Sequence, residues 1–114
     1  MTRAGCLADT HCHIHSSDYP LNPSEVLTSA LDSGVSQIIT MGCDPADSEL
    51  AVRYALEQGQ PEGLILRAGV GIYPHQAGDF RPSDIDRLQT LIDASKRVIA
   101  AVGEVGLDYC YDTV

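Results

Sequence analysis

Positive charge is scarce in this 114-residue chain: seven Lys and Arg stand against sixteen Asp and Glu, a net charge of -9 at pH 7. Proteins that track a phosphate backbone lay lysine and arginine along a groove, so broad electrostatic capture of duplex nucleic acid is excluded. Any phosphate-bearing substrate would need bound cations to supply the local positive potential. Long apolar runs are also missing. No stretch approaches the roughly 18 to 20 apolar residues that a membrane span requires, so no membrane partner is expected. The first residues carry only Arg3 as a charge and no apolar core before Asp9, which argues against a cleaved leader and for a cytoplasmic setting. Cys6, Cys12, Cys43 and Cys110 form no Cys-x-x-Cys pair, and free, mostly buried thiols are expected rather than a disulfide scaffold. There is no low-complexity segment, linker or repeat, so residues 1–114 read as one domain's worth of chain, without a linker or second domain within it.

What the chain does contain is an alternation of short apolar runs and amphipathic stretches. The first run is Cys6 to Ala8. Asn22 and Pro23 then suit the cap and first position of a helix reaching Ser33, with Val26, Leu27, Ala30 and Leu31 on one face and Gly34 as its stop. Val35 to Gly42 reads as a β-branched strand. Asp44-Pro45 opens a second helix running to about Gln58, with Gly59 behind it, and Leu64 to Ile72 forms a third strand. A third helix begins at Pro82 and carries Ile85, Leu88, Leu91 and Ile92, with Lys96 and Arg97 in its last turn. Val98 to Val102 is the fourth strand. The order β-α-β-α-β-α-β, at about 30 residues per unit, implies an α/β fold with a parallel sheet and right-handed crossovers. Ser16–Asn22 and Gln76–Arg81 are polar loops after strand ends, where parallel α/β folds build their active sites.

Asp9-Thr10-His11-Cys12-His13 closes the first strand. Residues two apart in an extended chain project from one face, roughly 6.5 to 7 Å apart, so His11 and His13 can reach one divalent ion. The remaining strand ends deliver Cys43 and Asp44, then Tyr73 and His75, then Glu104 and Asp108, all to the same rim of a parallel sheet. Glu104 follows Ala100-Ala101-Val102, and a carboxylate there needs a partner to remain charged. Two histidines and a carboxylate form a common ligand set for a hydrolytic metal. Asp9 either orients a ligand histidine or bonds backbone at the strand end, and the same two readings apply to Asp108. Gly69-Val70-Gly71 lacks the third glycine of a dinucleotide fingerprint, and Pro74 blocks a helix there. Asp47, Glu49, Asp84, Asp86 and Asp93 read as solvated helix positions. Tyr109-Cys110-Tyr111 carries no evident chemistry.

Leu7-Ala8-Asp9-Thr10-His11-Cys12-His13 resembles the opening signature of the TatD-type metal-dependent DNases, in the amidohydrolase-like superfamily. Gly71-Ile72-Tyr73-Pro74-His75 and Gly103-Glu104-Val105-Gly106-Leu107-Asp108-Tyr109 resemble that family's next two blocks, in order and spacing. The resemblance implies the first half, about four β/α units, of a TIM-type (β/α)8 barrel. It also implies two divalent metal ions (Mg, Mn or Zn) and hydrolysis of phosphodiesters, with DNA, single-stranded or at ends, as substrate. By it, His11 and His13 bind one metal, Glu104 bridges both and acts in catalysis, and His75 with Tyr73 holds the scissile phosphate. His15 stands where the family commonly has an acidic or amide residue, and Tyr73 replaces a frequent histidine. A full barrel needs about 250 residues, so the later ligands, two histidines and an aspartate, have no counterpart here.

Two alternatives follow. One is an inactive remnant that works only by associating, through its open strand edges, with a missing C-terminal half or with itself. The other keeps the barrel and metal but cleaves amides or deaminates.

Overall fold

The computed structural model describes residues 7–59 and 61–111. Four strands, β1 (Leu7–Cys12), β2 (Val35–Met41), β3 (Ile65–Val70) and β4 (Ile99–Val102), form one sheet in the order β1-β2-β3-β4. Every neighbouring pair is parallel. Helices α1 (Pro23–Asp32), α2 (Pro45–Gln58) and α3 (Pro82–Ala94) connect them in turn, and short 3-10 helices occupy Pro74–Asp79 and Tyr109–Tyr111. This is the α/β alternation of a partial TIM-type barrel, as expected.

Local chemistry explains where each helix starts. Asn22 accepts the Ser24 amide at 3.0 Å, and Asp44 accepts the Asp47 amide at 2.7 Å; each is followed by proline. Before α3 the bond runs the other way, from the Arg81 amide to the Asp84 carboxylate at 2.9 Å. Leu66, Ala68 and Val70 alternate along β3 and pack with Val52 and Ala55 of α2, Val26 and Leu27 of α1, and Leu88 of α3. Ile65, pointing to the opposite face, is exposed, as are Leu7 and Val102 on the two edge strands.

Several expectations are corrected. The first strand ends at Cys12, where its backbone last pairs with β2 at Thr40, so His13, expected to close the strand, lies just beyond it. Cys6 lies outside the described residues. Lys96 and Arg97 lie beyond α3, which ends at Ala94 where the Ser95 amide caps Ile92. Ile85 is exposed while Leu88, Leu91 and Ile92 pack against the core. Cys12 and Cys43 are half-buried free thiols, whereas Cys110 is exposed. No helix among the described residues is long and apolar enough to cross a membrane.

Candidate metal centre

His11 and Glu104 come from opposite edges of the sheet, three strand spacings or about 14 Å apart along an uncurved sheet. In the structure they touch. His11 Nε2 lies 3.4 Å and His13 Nε2 3.6 Å from Glu104 Oε2. The backbone after β4 provides the reach. The Gly103 amide donates to the Val70 carbonyl, and the Glu104 amide crosses β3 to donate to the Gly42 carbonyl beyond β2 at 3.1 Å. That crossing passes directly over Gly71. A Cβ there would sit 2.7 Å from the Gly103 carbonyl carbon and 2.8 Å from the Glu104 oxygen, so only glycine fits. Buried Ser48 holds Gly71 from below, accepting its amide at 3.1 Å.

The histidines are oriented as well as close. A main-chain carbonyl can only accept, so the 2.8 Å contact between His13 Nδ1 and the Met41 carbonyl places the proton on Nδ1. Nε2 then keeps its lone pair and faces Glu104. Fixing the tautomer of a ligating histidine in this way is the usual role of an outer hydrogen bond. The His11 and His13 rings meet edge to face at 5.2 Å. Among the described residues, His11, His13 and Glu104 are the group whose ligand atoms all lie within 4.8 Å of one another. Nitrogen and oxygen donors converging from three side chains fit a divalent cation of the zinc, manganese or magnesium kind.

A cavity of about 450 Å³ opens over this trio, and Tyr73, His75, Cys43 and Asp108 line it as well. Tyr73 is tied to the neighbouring loop by its amide, which donates to the Cys43 carbonyl at 2.8 Å, and its ring lies 5.0 Å from that of His75. The Cys43 sulfur lies 3.7 Å from Glu104 Oε2 and 3.9 Å from His13 Nδ1. Burial first, and then the charges of Asp47 and Glu104, push this thiol up to about 12. Without a bound metal ion it is therefore a neutral wall of the site at physiological pH.

Neither Asp9 nor Asp108 hydrogen-bonds a side chain of the trio. Asp9 accepts the His11 amide at 3.0 Å, the backbone reading of its role. Asp108 Oδ2 instead meets His75 Nε2 at 3.0 Å.

Sequence reasoning missed Asp47. It is not a solvated helix position: Oδ2 accepts the Cys43 amide at 2.9 Å and Oδ1 meets His15 Nε2 at 3.0 Å. The His15 side chain is fully buried, and its Nδ1 lies 2.5 Å from Thr40 Oγ1. This Asp47–His15–Thr40 chain fastens the segment after β1 to β2 and to the first turn of α2. The signal was present in the unusual third histidine of His11-x-His13-x-His15, but nothing local names its partners 25 and 32 residues away.

Comparison with known proteins agrees with the geometry. Residues 8–114 match the model of the TatD related DNase family. The uncharacterized metal-dependent hydrolase YabD of Bacillus subtilis is 31% identical over 106 residues, covering 93% of this chain and 39% of that protein. The 3'-5' ssDNA/RNA exonuclease TatD of Cronobacter sakazakii is 32% identical over 101 residues, covering 89% of this chain and 36% of that protein. The chain thus spans less than two-fifths of the length of these curated relatives. Matched by this family's model from residue 8 to residue 114, the chain belongs to the TatD related DNase family.

Proposed function

We propose that this chain contributes the metal-binding half of a phosphodiesterase site that acts on nucleic acid, single-stranded or at an end. The observation that carries the reading is the convergence of His11, His13 and Glu104 across a sheet whose strand order would otherwise separate them. When bound, divalent ions supply Lewis-acid polarisation and a water of lowered pKa. Two ions are proposed, and His11, His13 and Glu104 are the residues of this chain that would hold them.

The chain's own residues account for the rest. His13 offers Nε2 because Met41 holds its Nδ1 proton. Glu104 offers a carboxylate already aimed at both histidines. Tyr73 can donate its phenolic hydrogen to a phosphate oxygen, and His75 lines the same cavity. Among the described residues no lysine or arginine lines that cavity, so on this chain's side the ions would carry most of the balance to phosphate charge. The proposed substrate class follows from the ssDNA/RNA exonuclease activity for which the similar TatD proteins are named.

A second reading is favoured by one observation. β1 and β4 are edge strands whose Leu7 and Val102 are 59% and 67% exposed. Such edges invite further strands, from more chain or from another copy. In that reading the 114 residues bind metal weakly and turn over little or nothing alone. Assaying the purified chain on single-stranded DNA with Mg²⁺ or Mn²⁺, beside calorimetric metal titration, decides between them. Metal binding lost in His13→Ala supports the centre, and turnover abolished by His13→Ala would sink the associating-remnant reading. Absence of metal binding in the unsubstituted chain would sink the centre itself.

A further inference from the structure

Beyond the trio, the same cavity holds a second ionic contact, between His75 after β3 and Asp108 after β4. We infer that Asp108 is a positioning residue for His75, fixing which ring nitrogen carries the proton and holding the imidazole toward a bound phosphate. The inference rests on the phosphodiesterase reading of the cavity given above.

Both oxygens of Asp108 are engaged. Oδ1 accepts the Cys110 amide at 2.9 Å, which anchors the carboxylate on its own loop, and Oδ2 meets His75 Nε2 at 3.0 Å. The backbone amide of Cys110, and after it His75, holds the carboxyl below its ordinary value, so Asp108 is ionised at neutral pH. An ionised carboxylate can only accept. His75 Nε2 therefore carries a hydrogen whether the ring is neutral or cationic, and it is the cationic ring that can donate from Nδ1 to a phosphate oxygen. Tyr73, 5.0 Å from the ring, restricts the alternative rotamers.

Geometry gives Asp108 a reason to matter. His75 stands on one short 3-10 helix, Pro74–Asp79, while Asp108 precedes another at Tyr109–Tyr111. An imidazole not held across these loops would have to be ordered when phosphate arrives, at a cost in side-chain entropy. Asp108 makes that ordering part of the folded state. It also sits as counter-charge beside an imidazolium that donates from Nδ1 to a phosphate oxygen.

The test reads the His75 tautomer by long-range ¹H–¹⁵N correlation in the metal-free chain, then inorganic phosphate binding with Mg²⁺ present. In the unsubstituted chain the neutral ring is expected as the Nε2–H form, and Asp108→Ala is expected to lose that preference. Phosphate affinity should fall about tenfold in Asp108→Ala and in His75→Ala, the size of one hydrogen bond to a charged group. The double substitution should lose no more than either single one. An unchanged tautomer in Asp108→Ala, additive losses, or phosphate affinity equal in all forms would each overturn the proposal. If Asp108→Ala does not fold, the near-isosteric Asp108→Asn is expected to show a changed tautomer balance, and an unchanged one would overturn it equally. Failure of Mg²⁺ or Mn²⁺ to bind the unsubstituted chain would instead sink the metal reading. The tautomer, measured without metal, judges Asp108 separately.

Discussion

The cavity is built in two ways on its two sides. On one side His11 lies in a strand, His13 is bonded to the last residue of the next strand, and Glu104 is hydrogen-bonded back across the sheet to Gly42. On the other side His75 and Asp108 stand on loops and are joined by one side-chain contact. The ladder fixes the first set, since moving any member disturbs main-chain bonds shared with β2 or β3. The second set can open without loss of sheet structure. A metal needs donors held to within a few tenths of an ångström, whereas a phosphate contact tolerates adjustment. The sheet side therefore suits the ion, and the loop side suits the substrate.

The strongest way to break this contrast is at Gly71. Gly71→Ala places a methyl against the backbone of Gly103 and Glu104, atoms that cannot rotate aside. A loss of about 3 kcal/mol is expected, the upper end for overpacking, together with loss of metal binding as Glu104 is displaced. Chemical denaturation and metal titration measure the two. Full-strength metal binding in a folded Gly71→Ala chain would show that Glu104 does not depend on this crossing.

Gly71 also marks the limit of what was legible. The βαβ order, the helix caps and the rim that gathers His11, His13, Glu104 and His75 all follow from short-range patterns; the structure has the expected element order and lines one cavity with these four side chains. Gly69-Val70-Gly71 could be rejected as a nucleotide fingerprint, but its use could not be read. That use is a close approach to residues more than thirty positions later. Asp47 was misread for the same reason: at the helix surface its periodicity is that of a solvated acid, and only the folded chain brings Cys43 and His15 to it. The end of β1 fell one residue short of His13, because pairing with β2 stops at Thr40 and only the folded chain shows where the ladder ends. Local rules locate elements. They do not show which backbones cross.

Gly106 sharpens the loop side of the comparison. It has φ of +123°, a conformation L side chains rarely adopt, yet a Cβ there would meet nothing within 4 Å. Gly106→Ala should therefore cost only about 1 to 2 kcal/mol of backbone strain. Metal affinity should stay within about twofold of the unsubstituted chain, well short of the 10- to 100-fold loss typical of a disturbed outer-shell contact. The His75–Asp108 contact should loosen, seen as altered His75 resonances. A loss of metal binding as large as that of Gly71→Ala would mean that the two sides of the cavity form one rigid unit.

The smallest effect concerns acid. The Cys110 amide first, and His75 second, lower the Asp108 carboxyl from its ordinary value. A carboxyl whose folded value lies below its unfolded one adds stability above the unfolded value and loses it as pH falls through the folded one. The His75–Asp108 contact should therefore survive acidification through the ordinary aspartate range near 3.9 and open only below it. Because this carboxylate is solvent-accessible and screened, global stability should hardly register the step. Carboxyl ¹³C shifts of Asp108, followed down the pH scale, should change at a midpoint below that range. A midpoint at or above it would show that the loop contact is too transient to hold the charge. Asp108 could not then order His75 ahead of a phosphate.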